Sequence, residues 1–480
     1  EAGDALTDAD NNVALGYASL TSDTLGSRST AIGRGALQTQ NFTTATDVYN
    51  VAVGFNAGVA VTTGGFNTLI GGLAGDALTS GNSNVAMGYL ALSADTLGDR
   101  NVAIGNAALA SQNFTTSTDS YNVAVGYVAG RSITAATSNT LIGGLAGDAL
   151  TTGGLNVAVG TSALGADTLG QLNVAIGFEA LDAQNFTTAT NSYNVAVGAA
   201  AGGAVTTGVQ NTLIGALAGD ALTDADKNVA VGRSALTSDT LGSKSTAIGY
   251  SALDTQNFTS ATDSHNTAVG HLAGTAVTIG VANTLIGSLA GDALTDADIN
   301  VAIGHNALST DTLGSRSVAV GYEALLSQNF TTATSTYNTA VGGQAGRAVT
   351  TGVNNTLIGG LVGDAMTTGN GNTAVGKDSM GGGVVTGDFN TVLGQAAGFA
   401  LTSGDNNLFL GLDAGRTGSP GGNMSTASNI IILGNQNITD ANIQVDWTVA
   451  SDARDKADFT ALDLGLDFVK ALAPVTYKWD

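Results

Sequence analysis

The 480-residue chain has no cysteine, two prolines, three histidines and only 5% aromatic residues. Without cysteine there is no disulfide framework and no thiolate metal site, so thiol chemistry says nothing about the compartment. Three histidines exclude a His-rich metal site, and no cofactor is expected. Basic residues are scarce as well: 15 Lys and Arg stand against 38 Asp and Glu, for a formal net charge of −23. That charge repels nucleic acid and anionic membrane surfaces. No apolar run approaches the roughly 18 residues that a membrane-spanning helix needs, and no signal-peptide pattern opens the chain. Neither a nucleic-acid partner nor membrane insertion is expected.

Glycine, in contrast, is abundant at 68 residues, which signals either disorder or a repeat. Disordered chains combine low hydrophobicity with high charge, whereas here 43% of residues are hydrophobic and 11% charged. A repeat is therefore expected. Its core must be narrow, because the apolar content is mostly Ala, Val, Leu and Ile.

The repeat is a short motif, Asn followed by apolar residues and Gly, as in Asn12-Val13-Ala14-Leu15-Gly16, Asn101-Val102-Ala103-Ile104-Gly105 and Asn211-Thr212-Leu213-Ile214-Gly215. Motif starts at 12, 29, 50, 67 and 84 are spaced by 17, 21, 17 and 17 residues, and the same 72-residue block restarts at 156, 228, 300 and 372. After 372 the spacing becomes irregular, with motifs at 390, 407 and 429, for 24 rungs in all. Residues 2–10 recur almost unchanged at 218–226 and 290–298, so the array is expected to continue upstream of residue 1.

A run such as Val-Ala-Ile-Gly is a strand bounded by a turn former, not a 3.6-periodic helix. Two strands of about five residues and two tight turns account for one 17-residue rung, the arithmetic of a β-solenoid or β-roll. Twenty-four rungs at about 4.8 Å give a rod on the order of 115 Å long. Branched Val13 and Leu15 alternate with small Ala14, which predicts that one set fills the coil and that the Ala face lets another chain approach closely. The Asn at each motif start is either a turn residue or a member of a side-chain ladder along the stack. Such a thin rod has little core per residue, and oligomerisation is the usual remedy.

The Asn-x-Ala-Ile-Gly motif, over about residues 12–411, resembles the head repeat of YadA-type trimeric adhesins. The resemblance implies an all-β, left-handed parallel β-roll assembled as a homotrimer.

One rung per block carries four extra residues, within Gln40-Asn41-Phe42-Thr43-Thr44-Ala45-Thr46-Asp47-Val48-Tyr49 and its copies. These copies place Phe42 and Tyr49, Phe114 and Tyr121, Phe186 and Tyr193, Phe258 and His265, and Phe330 and Tyr337 at fixed offsets. Two readings stand: a ladder of receptor- or glycan-binding loops, rewarded by avidity, or an outward bulge whose rings cover the roll or lock onto a neighbouring chain. The second is preferred. The Asn-Phe-Thr triplets match a glycosylation acceptor but read as turn residues. Asp8, Asp10, Asp224 and Asp226 lack the full ligand count of a cation loop and read as solvated turns.

From Asn435 the composition shifts, and both tryptophans, Trp447 and Trp479, follow. Ser451-Asp452-Ala453-Arg454-Asp455-Lys456 precedes a helix-like stretch over 462–472 and then Pro474-Val475-Thr476-Tyr477-Lys478-Trp479, read as a strand. This order resembles the start of the intramolecular chaperone auto-processing domain at the C-termini of endosialidase spikes and other phage tail fibres, a small α+β domain of which residues 451–480 cover only a part. The resemblance implies a Ser-Lys dyad, with Ser451 as nucleophile, Lys456 as general base and Ala450-Ser451 as the bond cut. An activated hydroxyl needs such a base; without the resemblance, Ser451 reads as a helix cap.

The expected organisation is a β-roll shaft over 1–411, an irregular transition over 412–450 and the chaperone start over 451–480. The expected function is a structural tail-fibre shaft for host attachment, with other tail proteins and a host-surface glycan or protein as partners. A bacterial surface adhesin or extracellular filament is the alternative. An endoglycosidase is disfavoured, because uniform rungs offer no paired-carboxylate cleft. Near-identical blocks also predict weak register between chains, leaving the unique C-terminal sequence to align them.

Overall fold

A computed structural model describes residues 1–444 of the chain. Two units separate at Gln436, and the first, Glu1–Gln436, is a parallel β-solenoid. It stacks 24 three-residue strands, from Val13–Leu15 to Ile431–Leu433, through 23 parallel pairings into one sheet. The described residues contain no helix. Pairing is in step throughout: Val13 lies opposite Thr30, Ala14 opposite Ala31 and Leu15 opposite Ile32. The last strand still pairs with its predecessor, Leu408 opposite Ile431, so the stacked strands run past residue 411.

Each coil is leaner than the two-strand rung expected from the sequence. It has one three-residue strand, and the rest is a chain of tight turns. A second, two-residue strand occurs only beside the long coil, as where Gly26–Ser27 pairs with Thr46–Asp47; five such pairs form. Elsewhere the chain reverses through positive φ. In the coil starting at Ser29, Gly33 has φ 131°, Gly35 70°, Leu37 48° and Tyr49 54°. A non-glycine residue there costs roughly 1–2 kcal/mol. Hydrogen bonds from the adjoining coil hold the geometry, as where Leu37 N donates to Ala57 O at 3.1 Å.

The glycine that ends each strand is required. A Cβ on Gly54, at φ 146°, would lie 2.3 Å from the carbonyl oxygen of Gly71 in the next coil. Only a column without side chains lets the coils approach at strand spacing.

The faces of the strand are the reverse of the sequence expectation. The central residue points inward: Ala14 is half-buried at the first coil, Ala31, Ala52, Ala86 and Ala103 are wholly buried, and Leu69 and Leu141 take the same place in the fourth coil of a block. The branched residues point outward, with Val13 50% and Leu15 64% exposed. The turns already send a branched side chain into the lumen, Leu20, Leu37, Val61 and Leu78 in successive coils, and the strand fills what is left, with Ala in most coils. The filling is reciprocal from coil to coil: where the second turn carries Leu37, the opposite wall is polar Gln40, and where it carries Gly58 the wall is Val61. A Cβ on Gly58 would come 2.6 Å from Leu69 Cδ1 and 3.2 Å from Val61 Cγ2.

Candidate functional site

The Asn at each motif start is a buried ladder. Asn67 Oδ1 accepts from Asn84 N at 2.9 Å, Asn84 Oδ1 from Asn101 N at 2.9 Å, and the pattern continues to Asn407, whose Oδ1 accepts from Ile430 N at 3.0 Å. The Nδ2 groups donate to turn carbonyls, as Asn84 to Gly98 O at 2.9 Å. Ser29, Ser245 and Ser317 replace Asn only at the start of a long coil. There the long coil supplies other partners: Gln256 Nε2 donates to Ser245 Oγ at 2.9 Å.

The four extra residues are anchored by a wholly buried polar triad. Asp95 Oδ1 accepts from Gly98 N at 3.0 Å and Phe114 N at 3.2 Å, and its Oδ2 accepts from Gln112 Nε2 at 2.6 Å. Gln112 Oε1 in turn accepts from Asn122 Nδ2 at 2.9 Å. The same triad recurs as Asp167, Gln184 and Asn194, and as Asp239, Gln256 and Asn266. Burial pushes the carboxyls of Asp95, Asp167 and Asp239 above the usual carboxylate range, against the opposing hydrogen bond from the glutamine. Each of these carboxylates is used up by its partners, which marks it as an anchor and not as an acid or base facing a substrate.

The rings of the long coil divide. Phe114, Phe186, Phe258 and Phe330 are buried and Phe42 is half-buried, closing the bulge over the triad. Tyr49, Tyr121, Tyr193, His265 and Tyr337 are exposed. These outward residues stand immediately before the ladder Asn and belong to a stacked column. Arg28 lies over the Tyr49 ring at 5.4 Å, and Tyr49 stacks on Phe66 at 5.8 Å. Arg100 over Tyr121 and Arg316 over Tyr337 repeat the arrangement. Arg28 and Arg100 also pair with Asp47 and Asp119, and Lys244 pairs with Asp263.

A second stacked column follows the strand-ending glycine: Arg34 over Phe55 at 5.4 Å, Tyr250 on His271 at 5.5 Å and His305 on Tyr322 at 5.8 Å. Between the two columns run the outward residues of the 24 strands. The outer residue at the strand end is apolar in every one, from Leu15 to Leu433, and the other is Val, Thr, Leu or Ile. The result is a strip whose strand-end column is apolar throughout and whose other column is Thr in 11 of the 24 strands, bordered by columns rich in aromatic and basic residues.

Compared with protein families, with curated proteins and with solved structures, the chain matches none.

The remaining sequence candidates fall in two groups. Asp224 accepts from Thr207 Oγ1 at 2.7 Å, Asp226 accepts from Val209 N at 2.8 Å, and Asp10 N donates to Ser27 Oγ at 2.9 Å; each ties one coil to another. Among the described residues no group of three or more His, Asp or Glu is placed to hold a metal ion, and no helix is long and apolar enough to cross a membrane. Ser451, Lys456, the Ala450-Ser451 bond and both tryptophans lie outside the described residues. The strip, the triad and the two columns were missed in the sequence. The recurring Asp23-x-x-Gly26 and Gln40-Asn41-Phe42, 72 residues apart, were the available signal for the triad.

Proposed function

We propose that three copies of this chain associate side by side, parallel and in register, as the shaft of a tail fibre that holds a receptor-binding element away from the particle it serves. The observation that carries this reading is the apolar strip. Two outward columns along 23 strand spacings cover on the order of 1,100 Å², taking about 4.8 Å per strand and a strip about 10 Å wide; the strand-end column, about half of that, is apolar throughout, and the other alternates Val, Leu and Ile with Thr. The largest apolar patch on an ordinary monomer is about 300–600 Å², and a stable interface takes about 800 Å² per partner. A strip of this size along one face of a rod calls for a partner of the same length, and another copy of the chain supplies one.

Three copies facing a common axis bury the strip on all chains and leave the long-coil bulges and acidic turns in solvent. In this reading the bulges are structural. The resemblance at the C-terminus adds maturation: Ser451, activated by Lys456, cuts the chain before itself once the shaft has assembled. Sedimentation and light scattering test the assembly, and a rod of three chains is expected, three times 47.2 kDa where the chain is uncut; a monomer overturns it. Mass spectrometry tests the processing, with a fragment ending at Ala450 expected from the native chain and not from Ser451→Ala. Immunogold labelling tests the location: rods on virions support the tail-fibre reading, and rods on bacterial cells overturn it.

A further inference from the structure

Asn-Phe-Thr opens the bulge of every long coil, as Asn41-Phe42-Thr43 and again at 113–115, 185–187, 257–259 and 329–331. The packing of the shaft accounts only for its middle residue, the phenylalanine that closes the bulge over the triad. In the shorter coils before residue 372 the place of the asparagine belongs to Thr, and the hydroxyl there ties one coil to the next: Thr62 Oγ1 donates to Thr79 O at 3.1 Å, and Thr79 Oγ1 to Thr96 O at 3.0 Å. The asparagine gives up that forward bond. Its side chain meets only the hydroxyl of the coil before, that of Thr24 for Asn41 at 3.2 Å and that of Thr96 for Asn113 at 3.0 Å. The same contact recurs at Asn185, Asn257 and Asn329, and all five asparagines are exposed.

The threonine of the motif is idle in the fold as well. Thr43, Thr115, Thr187, Thr259 and Thr331 are exposed, and none of their hydroxyls bonds to another described residue. Exposed positions around them vary from block to block: Thr44 is replaced by Ser260, Ala45 by Ser117, Asp47 by Asn191 and Ser335, and Tyr49 by His265. The asparagine and the threonine stay in all five. Both are exposed while the phenylalanine between them turns inward, so amide and hydroxyl stand two residues apart on the outer side of the bulge.

We propose that these five asparagines are acceptors of N-linked sugar, with the hydroxyl two residues on presented to the transferase. Asn-x-Thr on an exposed loop is the acceptor pattern, and one exposed hydrogen bond is all that the amide leaves behind in the fold. The donor class is a sugar diphosphate ester. The amide nitrogen attacks C1 of the sugar, the bond from C1 to the diphosphate oxygen breaks, and the diphosphate leaves with the bonding electrons. The nitrogen passes one of its two protons to a base of the transferase and keeps the other, so nothing is oxidised or reduced. The sugars stand about 19 Å apart along the rod, one per four-coil block, on bulges that the proposed trimer leaves in solvent. Asn354-Asn355-Thr356 has the same pattern in the wrong setting: Thr356 begins a strand, and Asn355 is a buried member of the ladder. It is not an acceptor.

Trypsin separates the five sites. Cleavage at Lys and Arg leaves Asn41 on 35–100, Asn113 on 101–131, Asn185 on 132–227, Asn257 on 245–316 and Asn329 on 317–347, with Asn354 on 348–377. The full chain, purified from the particles or cells that carry it, is digested and read by mass spectrometry with electron-transfer fragmentation, which keeps a sugar on its residue. Sugar is expected on the five bulge asparagines and not on Asn354. One hexose per site means a nucleotide-linked donor and an oligosaccharide a lipid-linked one; either result supports the proposal. Two variants expressed in the same source separate the acceptor from the fold. Asn41→Thr and its four equivalents restore the residue of the shorter coils, and Thr43→Val and its four equivalents remove only the unbonded hydroxyl. Both are expected to form rods and to lose the sugar. Unmodified asparagines in the native chain, sugar on the threonines instead, or sugar retained after Thr43→Val overturns the inference, and none of these results bears on the trimer.

Discussion

Replacing Asn139 by Ala tests the buried ladder at one rung. Asn139 Oδ1 accepts from Asn156 N at 3.0 Å, and its Nδ2 donates to Gly153 O at 3.1 Å and to Asn122 Oδ1 at 3.3 Å. Asn139 is wholly buried, so truncation leaves the Asn156 N–H and the Gly153 carbonyl without partners and out of reach of water. Each orphaned group costs about 1–3 kcal/mol, and the two together about 2–6 kcal/mol. The stack is held by nearest-neighbour contacts, so the loss is felt at that rung and is not shared along the rod. Ser at the same position is expected to cost nearly as much, because its hydroxyl is too short to reach the next coil.

Position decides the outcome. Asn101 opens a long coil, as Ser29, Ser245 and Ser317 do, and Ser120 Oγ and Gln112 of that coil stand ready to meet a shorter side chain there. Asn101→Ser is therefore expected to cost under about 1 kcal/mol, the ordinary value of one exchanged hydrogen bond. Guanidinium unfolding followed by circular dichroism measures both variants, with local hydrogen exchange at residues 150–160 for Asn139 and at residues 115–125 for Asn101. An Asn139→Ala chain within about 0.5 kcal/mol of native, the range of a neutral surface change, would refute the reasoning. Equal losses for Asn139→Ser and Asn101→Ser would refute its positional part.

Leu141→Ala empties a wholly buried place in the lumen and is expected to cost about 2–5 kcal/mol in the same unfolding assay. Gly126→Ala sets a Cβ 2.2 Å from Gly143 O at φ 148°, so the coils on either side must part, and lost exchange protection at both is the expected reading. Burial raises the carboxyls of Asp95, Asp167 and Asp239 in the folded chain; the folded state then binds more protons than the unfolded state, and stability is highest below the ordinary carboxylate range and falls as pH rises through the raised values. Exposed Asp263, held low by Lys244, acts in the opposite sense where solvent screens it. Melting at pH 4 above that at pH 7 is the expected result, and the reverse order would count against the buried triads.

The sequence by itself determined the period, the coil length, the parallel stacking and the need for glycine after each strand. These are local or translational properties: a motif recurring at 17 residues returns to the same place on the coil whatever its packing. The ladder was half legible, because an Asn at nearly every rung permits both a turn and a stack, and only the hydrogen bonds from Asn67 to Asn84 to Asn101 choose between them.

Which face of the strand is inside was decided by the tertiary structure. Alternation of Val, Ala and Ile defines two faces but does not say which one meets the lumen. The turns settle that in favour of Ala, because their own branched side chains, Leu37 and Val61 among them, already fill most of the lumen, and so the branched residues of the strand form an outward strip. The triad was equally hidden, since Asp95, Gln112 and Asn122 become neighbours only after a 17-residue coil and a 21-residue coil have closed. The rings of the long coil looked alike in sequence. Closure of that coil over its buried carboxylate put Phe114 inside and left Tyr121 in the stacked border of the strip.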